Sequence, residues 1–387
     1  ANAIINPKKN NGYIKYDYFC ATTLTYFFLD LLSKKIKSQI KLVNLLVYAL
    51  LATICDVMPL RKINRLISLK VLKNFNINEN EALNELFILN KKKKKLDIDD
   101  LGYLIGPILN AGGRLGKSQY ATELLSSNDS KIINNRSIQL IKLNDKRKKI
   151  EKSILNEIDY KKLENLNESI IFYYNPNIHE GIIGIIAARL KDQFNKPSIV
   201  ITNSNGILKG SARSVYGYNI GSSVKNALDG NILLSGGGHN MAAGFTLEKK
   251  NLESFKSFFL KNFSIFAKSL ITSFNYDAEI SSTAFNKDFF SDINKIEPFG
   301  IGNPSPIFLF RDLKIIKTNI LNKRHISAIL KSKIGFSINS ISFDSTNNKI
   351  GEYLLNYKKD LNVLGQIKQN FWNNKKKLQL TIRDIVL

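Results

Sequence analysis

The spacing of apolar residues changes period twice along this chain, near residue 168 and again near 273, so the chain has to build more than one packed core. Ahead of the first change, apolar residues recur with helical spacing at about 18–34, 42–55 and 63–74. They follow a turn-rich opening, Asn6-Pro7-Lys8-Lys9-Asn10-Asn11-Gly12. Residues 78–165 continue as helix, interrupted by the run Lys91–Lys95 and by a glycine-rich turn at Gly106–Gly116. The part from 130 to 165 reads as a long connecting helix, exposed over much of its surface. Beyond 168 the pattern predicts strands at 169–174, 198–202, 207–214 and 243–247, alternating with helices at 181–194, 219–228 and 252–266. That is the signature of an α/β domain. Beyond 273 it predicts short strands at 313–319, 327–331, 339–343, 363–366 and 378–385, with one helix among them, which suits a small β-barrel. The expected divisions are therefore 1–75, 76–165, 166–267 and 268–387.

A chain of 387 residues with 44% hydrophobic content has enough apolar side chains to fill several cores. Its 57 Lys+Arg against 32 Asp+Glu leave +25, a field that attracts nucleic acid first and anionic membrane second. A general bias toward Lys, Asn and Ile accounts equally well for much of that charge. Cys20 and Cys55 sit in apolar helical surroundings and read as buried thiols, and the three histidines lack zinc-site spacing. The run Leu45–Ile54 is too short to span a bilayer and meets Asp56 almost at once. No signal peptide is visible, which makes the cytoplasm the default expectation; a monomer is the default for oligomeric state. The chain opens on Ala1 and not on Met, in mid-pattern, as a fragment or processed product would.

The most specific motif is Gly236-Gly237-Gly238-His239-Asn240-Met241-Ala242-Ala243-Gly244. Three glycines bare their N–H groups to a phosphate or sugar, His239 adds a directional donor, and Ala-Ala-Gly lets a helix pack close. A tight turn with a capping histidine explains the same residues equally well. Gly210-Ser211-Ala212-Arg213-Ser214 ends a predicted strand, where Ser211 and Arg213 share one side and suit a terminal phosphate; a solvated arginine is the plainer reading. Asn110-Ala111-Gly112-Gly113-Arg114 has the same character, with a helix-breaking loop and a surface arginine as its alternative. His179-Glu180-Gly181 opens a helix whose N-terminus either faces an anion or is capped by Glu180. Asp56, after a buried apolar helix, is either paired or metal-bound, or is a helix end reaching solvent. Asp97-Ile98-Asp99-Asp100 reads as an N-terminal cap. Glu297-Pro298-Phe299-Gly300-Ile301-Gly302-Asn303-Pro304 reads as a rigid connection around a buried Phe.

Taken in order, these segments resemble the RecJ family of single-strand-specific DNA exonucleases, within the DHH/DHHA1 phosphoesterases. Ile5-Asn6-Pro7-Lys8 resembles the stretch after the family's Asp-His-His motif. Cys55-Asp56-Val57-Met58-Pro59-Leu60 with Asn64-Arg65 resembles its last metal-binding motif. Ile105-Gly106-Pro107 through Arg114-Leu115-Gly116 is similar to its Asn-Ala-x-Gly-Arg segment. His179–Leu190, Gly210–Ser214 and Gly236–Gly244 resemble a DHHA1 domain. Pro298–Pro304, Lys323-Arg324-His325 and Gln379–Ile385 resemble the family's oligonucleotide-binding (OB) barrel.

The resemblance implies a multidomain α/β protein: the helical C-terminal part of a DHH domain, a connecting helix, a DHHA1 domain and an OB-fold barrel. It implies 5′-to-3′ exonuclease action on single-stranded DNA in recombination and repair, with Mn2+ or Mg2+ activating water. Asp56 would be a metal ligand, and Asp56 and His239 the catalytic residues. Arg114, Ser211 and Arg213 would grip the 5′-phosphate, with Gly236, Gly237, Gly238 and His239 holding the strand end. Lys323, Arg324, His325, Trp372 and Lys375–Lys377 are candidates for single-strand contact by their chemistry. A single-strand-binding protein and a helicase would be partners. The family's Asp-x-Asp, second aspartate and Asp-His-His motifs would lie ahead of residue 1. The expectation is therefore that this chain alone lacks nuclease activity and keeps affinity for single-stranded DNA. The alternatives are a non-catalytic single-strand-binding module, or a phosphodiesterase acting on short oligonucleotides, with RNA as an open possibility for the substrate.

Overall fold

A computed structural model of the chain describes residues 3–7, 16–39, 42–92, 95–267, 275–346, 348–372 and 375–387, with the side chains at 371, 372 and 375 outside the description. Lys8–Gly12, Lys93 and Lys94, and the side chains of Trp372 and Lys375, all singled out above, lie outside the described residues.

Helices α1 (Ala21–Lys35), α2 (Leu46–Cys55), α3 (Lys62–Asn74), α4 (Glu81–Leu89), α5 (Gly106–Arg114), α6 (Gln119–Ser126), α7 (Ser130–Glu157) and α8 (Tyr160–Asn165) come first. Next are β1 (Ile171–Tyr174), α9 (Glu180–Phe194), β2 (Ser198–Ser204), β3 (Ile207–Arg213), α10 (Ile220–Asp229), β4 (Ser235–His239), β5 (Ala242–Leu247) and α11 (Leu252–Ala267). The last group is β6 (Ala278–Glu279), α12 (Lys287–Asn294), β7 (Phe308–Leu321), β8 (His325–Ser332), β9 (Ser337–Ser342), α13 (Lys349–Asn356), β10 (Leu361–Trp372) and β11 (Lys375–Val386). Two compact units form. One gathers Ala1–Phe75, Leu96–Leu101 and Ser273–Leu387, the other Asn76–Lys95 and Gly102–Thr272.

In the first unit, α2 buries Leu46, Val47, Ala49, Leu50 and Leu51. It stops at Asp56, because Val57 takes a left-handed φ of 57° and Pro59 follows. The buried Asn64 then ties the entry to α3, donating through Nδ2 to the carbonyls of Tyr18 (2.7 Å) and Pro59 (3.0 Å). Leu60 N–H donates to the Ile301 carbonyl at 2.6 Å, so the Pro298–Pro304 connection is anchored on this segment; its Phe299 is half-buried against the barrel core. The barrel closes in the order β7-β8-β9-β11-β10-β7. All pairs are antiparallel except β9 with β11, and β6 adds a short parallel pairing to β7. Alternation along β8 sends Ile326, Ala328 and Leu330 inward, to meet Phe310, Leu313, Val363 and Leu380. The OB-fold barrel expected from the sequence is present, with α13 between its third and fourth strands.

In the second unit the sheet order is β1-β2-β3-β5-β4. β1 and β2 are parallel across the α9 crossover, and the remaining pairs are antiparallel. Ile199, Ile201, Leu208, Phe245 and Leu247 pack with Phe255, Phe259 and Phe263 of α11 on one face. Ile171 and Val200 pack against Ile182, Ile183, Ile186 and Leu190 of α9 on the other. Burial on both faces is why Ile199-Val200-Ile201, at the centre of β2, is apolar without alternation.

Three expectations about local structure are corrected here. The connecting helix ends at Glu157, because Asp159 caps a separate helix by accepting the Lys162 N–H at 3.0 Å. The Gly106–Gly116 stretch is helical as far as Arg114, with glycine where α5 is crowded: a Cβ on Gly112 would lie 2.7 Å from the carbonyl of Lys117, in the following turn, and 3.1 Å from Leu140 of α7. Gly236–Gly238 is not a loop but the middle of β4, an edge strand paired with β5. Glycines carry no alternation of side chains, so the strand leaves no periodic trace in the sequence.

Candidate phosphate-binding cleft

Strand β3 supplies the first wall of the cleft. Side chains two residues apart on a strand share a face, which puts Lys209, Ser211 and Arg213 together. Helix α9 lies over that face, and Gly184 makes the close approach possible: a Cβ there would sit 2.9 Å from an Nη of Arg213 and 3.1 Å from Ser211 Oγ. Arg213 Nη1 donates to Ser211 Oγ at 3.0 Å and to the Ala212 carbonyl at 2.9 Å. These bonds use two of the five N–H groups of the guanidinium.

The second wall is the junction of α5 with α9. The carbonyl of Arg114 abuts Gly181 so closely that a Cβ on Gly181 would lie 2.1 Å from it, and Arg114 Nη1 donates back to the Gly181 carbonyl at 3.0 Å. His179, and not Glu180, caps α9: its Nδ1 accepts the Gly181 N–H at 3.1 Å, which fixes the proton of a neutral ring on Nε2. Glu180 instead accepts from Lys209 Nζ (2.5 Å) and Ser204 Oγ (2.8 Å) and is held below the ordinary carboxylate range, first by those bonds. Lys209 was not singled out from the sequence, although the alternation that pairs Ser211 with Arg213 extends to it.

Together these residues, with Asn110, Gly113, Gly116, Ile183 and Phe245, line an open cleft of about 810 Å3, within the roughly 300–1,000 Å3 range of small-ligand sites. Its lining carboxylate, Glu180, is taken up by Lys209, which leaves the two arginines to set the charge. Burial and then the charge of Arg147 lower the pKa of Arg114, with Glu151 partly opposing; burial and then Arg114 lower that of Arg213. Among the described residues neither guanidinium has a carboxylate in ion-pair contact. By contrast, Arg136 is engaged by Glu123 and lies over the Tyr120 ring at 4.3 Å. Two half-buried cations that repel each other and meet only carbonyl and hydroxyl oxygens form a site for an anion with several acceptors.

The α5–α9 junction yields a sharp expectation. Gly181→Ala drives a methyl into backbone, so it is expected to destabilise the unit by about 3 kcal/mol, the upper end for overpacking. Gly113→Ala meets nothing within 4 Å and is expected to be neutral or stabilising by up to ~1 kcal/mol. Thermal unfolding of the two variants side by side checks this.

The register carries the same sheet face further. Ser211 is opposite Gly244, and Gly244 opposite Gly237; Arg213 is opposite Ala242, and Ala242 opposite His239. His239 and Gly237 therefore share the face of Arg213 and Ser211, two strands away, or roughly 10 Å. Both are exposed, and neither lines the cleft itself. Gly236 and Gly238 belong to the opposite face. A Cβ on Gly236 would meet Val224 of α10 at 2.8 Å, and one on Gly238 would meet the Ala242 carbonyl at 2.4 Å.

Asp56 belongs to the other unit. It sits exposed at the C-terminus of α2, its N–H bonded to the Ala52 carbonyl at 2.8 Å. Burial, and next the charge of Asp56, pushes the neighbouring Cys55 thiol up to about 11, so it stays protonated near neutral pH, the wrong form for a metal ligand. Cys20 and Cys55 are both free thiols. No group of three His, Cys, Asp or Glu able to hold a metal ion occurs among the described residues. The donor set described here does not fit a two-metal centre.

On the barrel, Lys323 and Arg324 lie in the β7–β8 turn, His325 opens β8, and Lys376 and Lys377 lie near the start of β11, after the β10–β11 connection. These are the two loops that meet oligonucleotides in OB-folds. Arg324 pairs with Asp344 at 2.9 Å, and His325 Nδ1 accepts the Asp344 N–H at 2.9 Å while its ring meets Phe343 edge-on. Lys323, Lys376 and Lys377 are exposed.

Comparison with known proteins gives two family matches, the DHHA1 domain over residues 167–264 and the RecJ OB domain over 276–384. The single-stranded-DNA-specific exonuclease RecJ of Haemophilus influenzae is 30% identical over 360 residues, covering 87% of this chain and 62% of the relative. That of Bacillus subtilis is 29% identical over 349 residues, covering 88% of this chain and 44% of the relative. The chain thus spans between 44 and 62% of the length of these two relatives. The structure of RecJ from Thermus thermophilus in complex with Mn2+ matches with a TM-score of 0.74 at 22% identity, over 92% of this chain and 51% of that one. That likeness speaks for the fold. No helix among the described residues is long and apolar enough to cross a membrane.

Proposed function

Because the chain belongs to the RecJ family of single-stranded-DNA-specific exonucleases, we propose that its basic cleft receives the 5′-terminal phosphate of single-stranded DNA in 5′-to-3′ degradation. The observation that carries this reading is the convergence of Arg114 and Arg213, half-buried and without a carboxylate partner, beside Ser211. A terminal phosphate monoester offers the charge and the acceptor oxygens that this pair lacks. His239 and Gly237 continue the same face and would lie along the strand; on the barrel, taken by itself, the exposed Lys323, Lys376 and Lys377 would be single-strand contacts.

Hydrolysis in this family is proposed to use Mn2+ or Mg2+, with Asp56 as one ligand. Since the described donors do not fit such a centre, no hydrolytic step is assigned to them, and strand binding without cleavage is the proposed behaviour of this chain by itself. The test is equilibrium binding of two oligothymidylates, one 5′-phosphorylated and one 5′-hydroxyl, to the 387-residue chain with manganese present. The products are then resolved by length. Tighter binding of the phosphorylated strand by about tenfold or more, with the oligonucleotide intact, is the expected result. Equal affinity for the two ends would remove the phosphate assignment, and manganese-dependent shortening would remove the assignment of binding without cleavage.

A further inference from the structure

Between β3 and α10 the chain makes a turn that is pinned on every side and yet leaves an aromatic ring in solvent. Tyr216 is 88% exposed, the most exposed large apolar or aromatic side chain among the described residues. Its neighbours are the opposite. Ser214 is buried, its N–H donates to the Met241 carbonyl at 3.0 Å, and its hydroxyl donates to the Tyr218 carbonyl at 2.6 Å. Tyr218 is buried against Phe263 and Phe266, with its hydroxyl 2.8 Å from Ser223 Oγ. The Tyr218 N–H closes the turn on the Val215 carbonyl at 3.3 Å, and Gly217 takes the positive φ of 88° that such a turn demands of its third residue. On the far side the Ile220 N–H donates to the Asn240 carbonyl at 3.1 Å. Tyr216 therefore stands on a rigid base, tied through Ser214 and Ile220 to the β4–β5 turn that follows His239.

An aromatic ring held in water forgoes the burial that drives most aromatic placement. Here it sits three residues after Arg213, at most about 11 Å away along the backbone. Arg213, His239 and Tyr216 thus share one end of the sheet. Base–aromatic stacking tolerates any sequence, because every base has a π-face, and a rigid ring loses little freedom on forming the stack. We propose that Tyr216 is a positioning residue on which the base of the 5′-terminal nucleotide stacks while its phosphate lies between Arg114 and Arg213. This rests on the reading of the cleft as a 5′-phosphate site.

The test uses the whole 387-residue chain, metal-free so that binding alone is read, with two 3′-labelled 5′-phosphorylated oligothymidylates. One has all its bases and the other is abasic at the first nucleotide. Tyr216→Ala is expected to bind the intact strand about tenfold more weakly and the abasic strand as the native chain does, while Tyr216→Phe keeps native affinity for both. Because the side chain touches little, unchanged thermal unfolding of both variants accompanies that result. Native affinity in Tyr216→Ala, or an equal loss on both strands, overturns the stacking inference. Arg213→Ala and a 5′-hydroxyl strand, run in parallel, separate the two levels. If neither changes binding, the cleft reading falls and the inference with it; if both do and Tyr216→Ala does not, the inference alone falls.

Discussion

Replacing Arg213 by alanine is expected to lower affinity for a 5′-phosphorylated single strand about 10- to 100-fold while leaving a 5′-hydroxyl strand nearly unaffected. Hydrogen bonds to a charged partner contribute roughly 1.5–3 kcal/mol each, and every 1.4 kcal/mol is tenfold in affinity. The guanidinium is half-buried, and its pKa is lowered by burial and then by Arg114, so without a ligand it sits beside a like charge. Removing it relieves that repulsion. The variant is therefore expected to unfold no earlier than the native chain, which separates a binding loss from a folding loss. Arg213→Lys keeps the charge but not the planar fork and is expected to fall between the two. Titration with strands differing only at the 5′ end reads the difference. An equal loss on both strands would make Arg213 a contact to the chain of phosphates and not to its end.

Part of this site is legible in the residues themselves. Ser211 and Arg213 at strand spacing, Arg114 after its glycines, and the helix opening at His179 all stand out along the chain, and the clamp assembles from them. The contact that assembles it leaves no such mark. Gly181 matters because the carbonyl of Arg114, 67 residues earlier, packs against it, and nothing local records that approach. For the same reason the roles within Gly236-Gly237-Gly238 divide between two faces only once β5 sets the register. The barrel shows the same limit. Its strands follow from alternation, but β7, β10 and β11 run longer than expected: β7 begins in the unbroken apolar run Phe308-Leu309-Phe310, β10 continues through Lys368-Gln369-Asn370 and β11 opens on Lys375-Lys376-Lys377, none of which alternates. The closing pair, β7 with β10, joins residues far apart in the chain, for example Leu313 with Leu361. Such pairing is decided by the shared core and not by either strand alone.

The support beneath the cleft makes the second large effect. Glu151 of α7 is nearly buried, its side chain 9% exposed, and accepts from Arg147 Nη1 at 3.1 Å and from Arg189 Nε of α9 at 2.8 Å. It is the negative charge that opposes the lowering of the Arg114 pKa. Glu151→Ala leaves Arg147, itself 13% exposed, without a counter-charge in poor contact with water. Breaking a buried pair by removing one partner costs about 3–5 kcal/mol. Arg189 is half-exposed and can turn to solvent, so the expected loss is about 3 kcal/mol, the lower end of that range. At about 2–4 °C per kcal/mol for a unit of this size, the thermal transition is expected to fall by roughly 6–12 °C. Glu151→Gln retains the hydrogen-bond acceptor and is expected to lose less. Below the transition the folded fraction of either variant carries one negative charge fewer near Arg114, so its affinity for a 5′-phosphate is expected to hold or rise while its stability falls. A transition within about 2 °C of the native value would mean that the desolvation of this carboxylate already cancels its attraction to both arginines. A loss of phosphate affinity in folded protein would instead mean that Glu151 holds Arg114 in place through α9, and that the geometry of the clamp outweighs its charge.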